Sequence, residues 1–126
     1  MILVDTSVWI EHLRSGLPSL VHSLDAAAVL VHPWVIGELA LGNLTNRIEI
    51  LGLLRRLPQS AEAEADEVLF MIEHESLTGS GIGYVDAQLL ASTRLTPGAR
   101  LWTRDRRLAA AADRLGMRYD RDAGSP

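Results

Sequence analysis

Three short apolar runs limit what this chain can build. Ile2–Val4, the stretch 28–32 (AVLVH) and the stretch 100–103 (RLWT) are too short for helices and are rich in residues that favour strands. The first is continuous rather than alternating, which is the pattern of a strand covered on both faces. Such strands lie parallel, and parallel neighbours cannot be joined by a tight hairpin; each needs a long crossover. The residues between the runs carry helical patterning, so the expected architecture is an α/β fold around a parallel sheet.

The crossovers can be read in outline. Residues 7–13 make an amphipathic helical turn that stops near Gly16-Leu17-Pro18. Pro33 suits a first helical turn, and residues 35–41 continue it to Gly42-Asn43. A further helix is expected over 45–57, with Ile48, Leu51 and Leu54 on one side and Pro58 ending it. Another covers 61–77, with Ala65, Val68, Leu69 and Ile72 sharing a face. After the loop TGSGIG, helices are expected over 85–95 and 106–115, the second closed by Gly116. Residues 117–119 offer a last short strand, and the tail is expected to fray from about 121. With 126 residues and no repeat, linker or low-complexity tract, the chain reads as a single domain spanning 1–126.

Charge and composition remove several function classes. There is no cysteine, so disulfides, zinc-thiolate sites and thiol catalysis are excluded. The apolar start lacks a basic leader and is broken by Asp5, Glu11 and Arg14, and no later stretch is long enough to cross a bilayer. No export signal or membrane association is expected, and a cytoplasmic location fits. The net charge of −4 argues against binding nucleic acid through bulk charge alone. Its distribution says more: every basic residue is arginine, and seven of them lie from Arg100 onward, whereas residues 61–75 hold six acids and no arginine. Two solvated faces would explain this, as would a phosphate-contacting region near the C-terminus.

The positions of four acids are the chemical signal. Ligands of open parallel sheets bind beyond the carboxyl ends of the strands. Asp5 ends the first run, Asp105 follows the RLWT run, Asp86 opens the helix after the glycine loop, and Glu38 lies about a turn into the helix after the second run. Each aspartate also stands where a helix cap is wanted. Glu38 sits among Trp34, Val35, Ile36, Leu39, Ala40 and Leu41, so it must face solvent, find a partner or bind a cation. Together the four would form an oxygen-only site of the kind preferred by Mg²⁺ or Mn²⁺ rather than Zn²⁺. One or two such ions serve phosphodiester hydrolysis and offset the acids' repulsion of a polyanion.

MILVDTSVWI, WVIGELALG, GIGYVDAQLLAS and LWTRDRRLAAAADRLG, in that order and at that spacing, resemble the PIN-domain ribonucleases, specifically the VapC-type toxins of bacterial toxin–antitoxin pairs. The resemblance covers nearly the whole chain; the region between Gly42 and Gly79 is not diagnostic. It implies a PIN-like three-layer α/β/α sandwich with a central, mostly parallel sheet of four to five strands. It implies that Asp5, Glu38, Asp86 and Asp105 form the metal and catalytic site, with Thr6 and Thr103 orienting water or a carboxylate. It further implies endoribonuclease cleavage of tRNA or rRNA loops, a homodimer, and neutralisation by a cognate VapB-like antitoxin. Arg104, Arg106 and Arg107 are candidates for RNA phosphate contact. The alternatives are a PIN-like nuclease acting on DNA or structured RNA in processing, and a PIN-fold module that only binds a partner.

Other readings fail on particular residues. A receiver domain needs a lysine that is absent; a haloacid-dehalogenase-like phosphatase needs an aspartate where Ser7 stands; there is no P-loop. In GIGYVD, Asp86 replaces the third glycine of a dinucleotide fingerprint. His12, His22, His32 and His74 lack metal-ligand spacing and read as surface or satisfied core. Trp9, Trp34 and Trp102 read as core or dimer contacts rather than base-stacking platforms, and Asp120 and Asp122 as a solvated tail.

Overall fold

A computed structural model describes residues 1–120; the expected fraying from about 121, Arg121 and Asp122 lie outside the described residues. Strands β1 (Ile2–Val4), β2 (Val29–Leu30) and β3 (Arg100–Trp102) form one sheet in the order β2-β1-β3. Both pairings are parallel, with Leu3 opposite Leu30 on one side and Leu101 on the other. The continuous apolar runs follow from this: Leu3, Val4 and Leu101 are fully buried.

The sheet is narrower than expected. Three strands are formed among the described residues, and single parallel bridges widen it at each edge, Val31 with Gln59 and Leu101 with Arg118. The stretch over 117–119 therefore contributes one bridge rather than a strand. It is anchored where the Leu101 N–H donates to the Met117 carbonyl at 2.7 Å and the Tyr119 N–H to the Leu101 carbonyl at 2.8 Å.

Among the described residues seven helices supply the crossovers: α1 (Thr6–Ser15), α2 (Pro18–Asp25), α3 (Pro33–Leu41), α4 (Arg47–Arg56), α5 (Ala65–His74), α6 (Tyr84–Leu95) and α7 (Arg106–Arg114). Helix α1 packs on α3, α3 on α4 and α5 on α6, while α6 and α7 lie against β3. The most buried helix is α6, in which every residue from Ala87 to Thr93 is buried. Helix α2 had no counterpart in the sequence reading, which took Gly16-Leu17-Pro18 only as a stop. Pro18 is also a favourable first helical residue, and α2 starts on it.

The segment before α5 is the other departure. Residues 61–64 were expected to be helical, yet α5 starts only at Ala65. Their backbone is committed elsewhere. The Ala63 N–H donates to Gln88 Oε1 at 2.8 Å, and the Gln88 amide donates back to the Ala63 carbonyl at 2.9 Å. A buried backbone must satisfy both its polar groups, and here a glutamine on α6 does so in place of a helix ladder. No helix among the described residues is long and apolar enough to cross a membrane.

Candidate functional site

The carboxyl edge of the sheet carries the acids. Asp5 follows β1 directly, its N–H donating to the Trp102 carbonyl of β3 at 2.9 Å. It occupies the N-cap position of α1, but its side chain makes no capping bond. Instead, Asp5 Oδ2 accepts two hydroxyl hydrogen bonds, from Ser7 at 2.7 Å and from Thr103 at 2.8 Å. The residue is only 6% exposed. Two hydroxyls aimed at one oxygen of a buried carboxylate hold its orientation.

The same hydroxyls brace the end of β3. The Arg104 N–H donates to Ser7 Oγ at 3.0 Å, and the Asp105 N–H donates to Thr103 Oγ1 at 3.0 Å. Asp105 caps α7, its Oδ1 accepting from the Leu108 N–H at 2.9 Å. Asp86, in the first turn of α6, accepts from the Gly83 N–H through Oδ2 at 3.2 Å. Glu38 is exposed on α3 and accepts the Thr6 hydroxyl through Oε1 at 2.6 Å. Both threonines singled out in the sequence thus bind carboxylates.

A common pattern runs through the four acids. In each, one carboxylate oxygen is held by the protein: Oδ2 of Asp5, Oε1 of Glu38, Oδ2 of Asp86 and Oδ1 of Asp105. The other oxygen of each has no protein donor among the described residues. The cap reading for Asp105 and the ligand reading are therefore compatible, because they use different oxygens.

The four charges also feel one another. Burial pushes the Asp86 carboxyl above its ordinary range; the Gly83 amide opposes this, and the Asp5, Asp105 and Glu38 carboxylates each raise it further. Among the described residues no three acidic or histidine side chains are arranged as a closed cation cage. The donor set of the four acids is all oxygen and all anionic, chemistry that suits a hard divalent cation.

The arginines divide. Arg104 is engaged by Glu11, with Nε–Oε2 at 2.7 Å and Nη2–Oε1 at 3.0 Å, so its charge is already matched. Arg106 and Arg107 are exposed on α7. Arg107 folds over Gly81, where an added Cβ would meet its Cδ and Nη1 at 2.8 Å; Gly81 also has a φ of +86° that suits glycine. An open groove of about 560 Å³ runs from Thr103 past Arg104 and Arg106 to Arg118.

Two features escaped the sequence reading. Ser7 serves Asp5 and the β3 end together, and the only sequence signal was a hydroxyl two residues after the first acid. The second is a buried polar network. The His32 imidazole is fully buried, and its Nδ1 accepts the Trp34 N–H at 3.0 Å, capping α3. The ring proton must then sit on Nε2, which lies 3.2 Å from Gln88 Oε1 and 2.9 Å from Ser92 Oγ. This network ties the start of α3, which carries Glu38, to α6, which carries Asp86.

No protein-family model matches the chain. Two curated proteins do, both named Ribonuclease VapC32, from Mycobacterium tuberculosis strains CDC 1551 / Oshkosh and ATCC 25618 / H37Rv. Each is 51% identical over 117 residues, covering 93% of this chain and 94% of the relative.

Proposed function

The chain belongs to the VapC family of PIN-domain ribonucleases, the toxins of bacterial VapBC toxin–antitoxin pairs, and from that membership we propose a divalent-metal-dependent endoribonuclease whose site is Asp5, Glu38, Asp86 and Asp105. The observation that carries the assignment is the shared pattern of the four carboxylates, each with one oxygen held by the protein and one left for a ligand. These residues would hold Mg²⁺ or Mn²⁺, as one or two ions. The chemistry such a cation would supply there is Lewis-acid polarisation of a phosphoryl oxygen and a lowered pKa for water.

The protein's own contribution is position and charge. Ser7 and Thr103 fix the Asp5 carboxylate, and Thr6 fixes that of Glu38. Thr103 also sets the end of β3 from which Asp105 departs. Arg106 and Arg107 lie on the helix that Asp105 caps, where they can draw RNA phosphates toward an otherwise acidic edge. Arg104 is the weaker candidate, because contact with phosphate must displace Glu11. Residues 1–126 act as one domain in this reading.

The substrates are unpaired loops of tRNA or rRNA in the cytoplasm, where backbone and bases are open to a protein. A cognate VapB-like antitoxin neutralises the enzyme by occupying the site. A homodimer is part of the same reading, supported by the exposed apolar side chains Leu69 and Phe70 of α5 and Leu95 of α6.

The test is incubation of a total tRNA and rRNA pool with purified, antitoxin-free protein in Mg²⁺, in Mn²⁺ and in EDTA. Discrete products with either metal and none in EDTA are expected. Equal cleavage in EDTA would remove the metal from the account.

A further inference from the structure

We propose that Trp34 and Tyr84 form a stacking platform for an unpaired nucleobase beside the acid cluster. The proposal rests on the ribonuclease reading above and adds a binding subsite to it.

The two rings belong to the two helices that bring Glu38 and Asp86. Trp34 lies on α3, four residues before Glu38 and so on the same helical face. Helical side chains lean toward the N-terminus, so Glu38 reaches back toward the turn that holds Trp34. Tyr84 is the first residue of α6, two before Asp86. The ring centroids are 6.1 Å apart with the planes inclined at 44°. An aromatic pair thus bridges α3 and α6 at the end where both deliver a carboxylate.

The platform is built, not incidental. The Trp34 indole N–H donates to Glu62 Oε1 at 3.1 Å, and the ring stands edge-on to the buried His32 imidazole, with centroids 6.1 Å apart at 82°. Tyr84 leans on it with 47% of its own surface exposed. The other two tryptophans behave differently: Trp9 and Trp102 are each 4% exposed and belong to the core. Core packing therefore explains those two and leaves Trp34, half-buried and fixed on three sides, without such an account. Water gains nothing from an aromatic pair held rigid at a charged edge. A nucleobase does, because every base offers a flat face and stacks with little regard to sequence.

Charge agrees with the placement. Across the loop that leads into Tyr84, Arg107 lies over Gly81. An RNA strand could then set a base on the rings, its phosphate at the acids and a neighbouring phosphate toward Arg107. Only an unstacked base can occupy such a platform, which would select single-stranded RNA over duplex.

The experiment uses full-length protein carrying Asp5→Asn, with Mg²⁺, and a fluorescein-labelled unstructured oligoribonucleotide with an otherwise identical abasic one, read by anisotropy. Adding Tyr84→Ala should weaken binding of the base-bearing RNA roughly 5- to 150-fold, the range of one base–aromatic stack. It should leave the abasic RNA unaffected, and Tyr84→Phe should restore binding. In a second measurement the base-bearing RNA should quench tryptophan emission, and Trp34→Phe should remove that quench. An equal loss on both RNAs, or no loss on either, would overturn the platform and assign the rings to the fold or to a protein partner. If the parent protein bound neither RNA, the platform would fall, while the ribonuclease reading is tested separately by cleavage with the wild-type protein.

Discussion

Asp5→Asn abolishes RNA cleavage while the protein stays folded; this is the largest effect expected of any single substitution. The change removes one negative charge from the site and leaves an amide where a cation would need a carboxylate. Charge stabilisation by a bound divalent ion is worth several kcal/mol in the transition state. Losing it lowers the rate by about a thousandfold or more. The fold has little to lose, because the asparagine carbonyl can still accept from Ser7 and Thr103. The Asp5 side chain makes no capping bond that could be broken. Removing a charge that presses on Asp86 also relieves repulsion. Circular-dichroism melting beside a cleavage assay checks both halves. Cleavage at the wild-type rate would mean that Asp5 has no chemical role.

His32→Ala produces the largest loss of stability. The imidazole is fully buried, and its removal leaves a cavity, takes the cap from the Trp34 N–H and strips partners from Gln88 and Ser92. A lost cap costs about 1 kcal/mol; Gln88 Oε1 keeps the Ala63 N–H and the Ser92 hydroxyl, so most of the remaining loss comes from the cavity. With the cavity, the total is about 3–5 kcal/mol, a large share of the ~5–15 kcal/mol by which domains are stable. Urea denaturation measures it directly.

The same residue sets a pH dependence. Burial holds the His32 pKa below its ordinary value of 6.5, outweighing the Gln88 hydrogen bond and the Glu62 charge that act to raise it. The unfolded chain therefore takes up this proton first as pH falls. The contribution is fully present above pH 6.5 and is lost as pH drops from there through the lower folded-state value. Protonation would also occupy Nδ1 and expel the Trp34 amide it accepts. His32→Gln should flatten the decline in stability between pH 7.5 and 5; an unchanged slope would show that other groups set it.

How much could be read in advance follows from which interactions are local. The three strands were legible because a strand covered on both faces is a continuous apolar run, and Leu3, Leu30 and Leu101 are such residues. The helices α3, α6 and α7 were legible from Pro33, the glycine loop and Gly116. Helix α2 was missed because Pro18 can end one element and begin the next. The late start of α5 was out of reach, since Ala63 is held by Gln88, 25 residues away. At the site, the residue types and their order were legible. Which oxygen each acid commits to the protein was not, because that depends on hydroxyls such as Thr103, 98 residues from Asp5 in sequence. Of the tryptophans read as core or dimer contacts, Trp9 and Trp102 lie in the core, while Trp34 is half-buried, its ring positioned by Glu62 and Tyr84 rather than by α3 alone.

The central claim is that four acids, distant in sequence, serve one site for divalent cations. Its most direct test is a Mn²⁺ titration by calorimetry of the wild-type protein and of Asp5→Asn, Glu38→Gln, Asp86→Asn and Asp105→Asn. The account predicts saturable binding of one or two ions by the wild type and at least about tenfold weaker binding by every variant. Four variants that hold Mn²⁺ as tightly as the wild type, or a wild type that holds none, would contradict it.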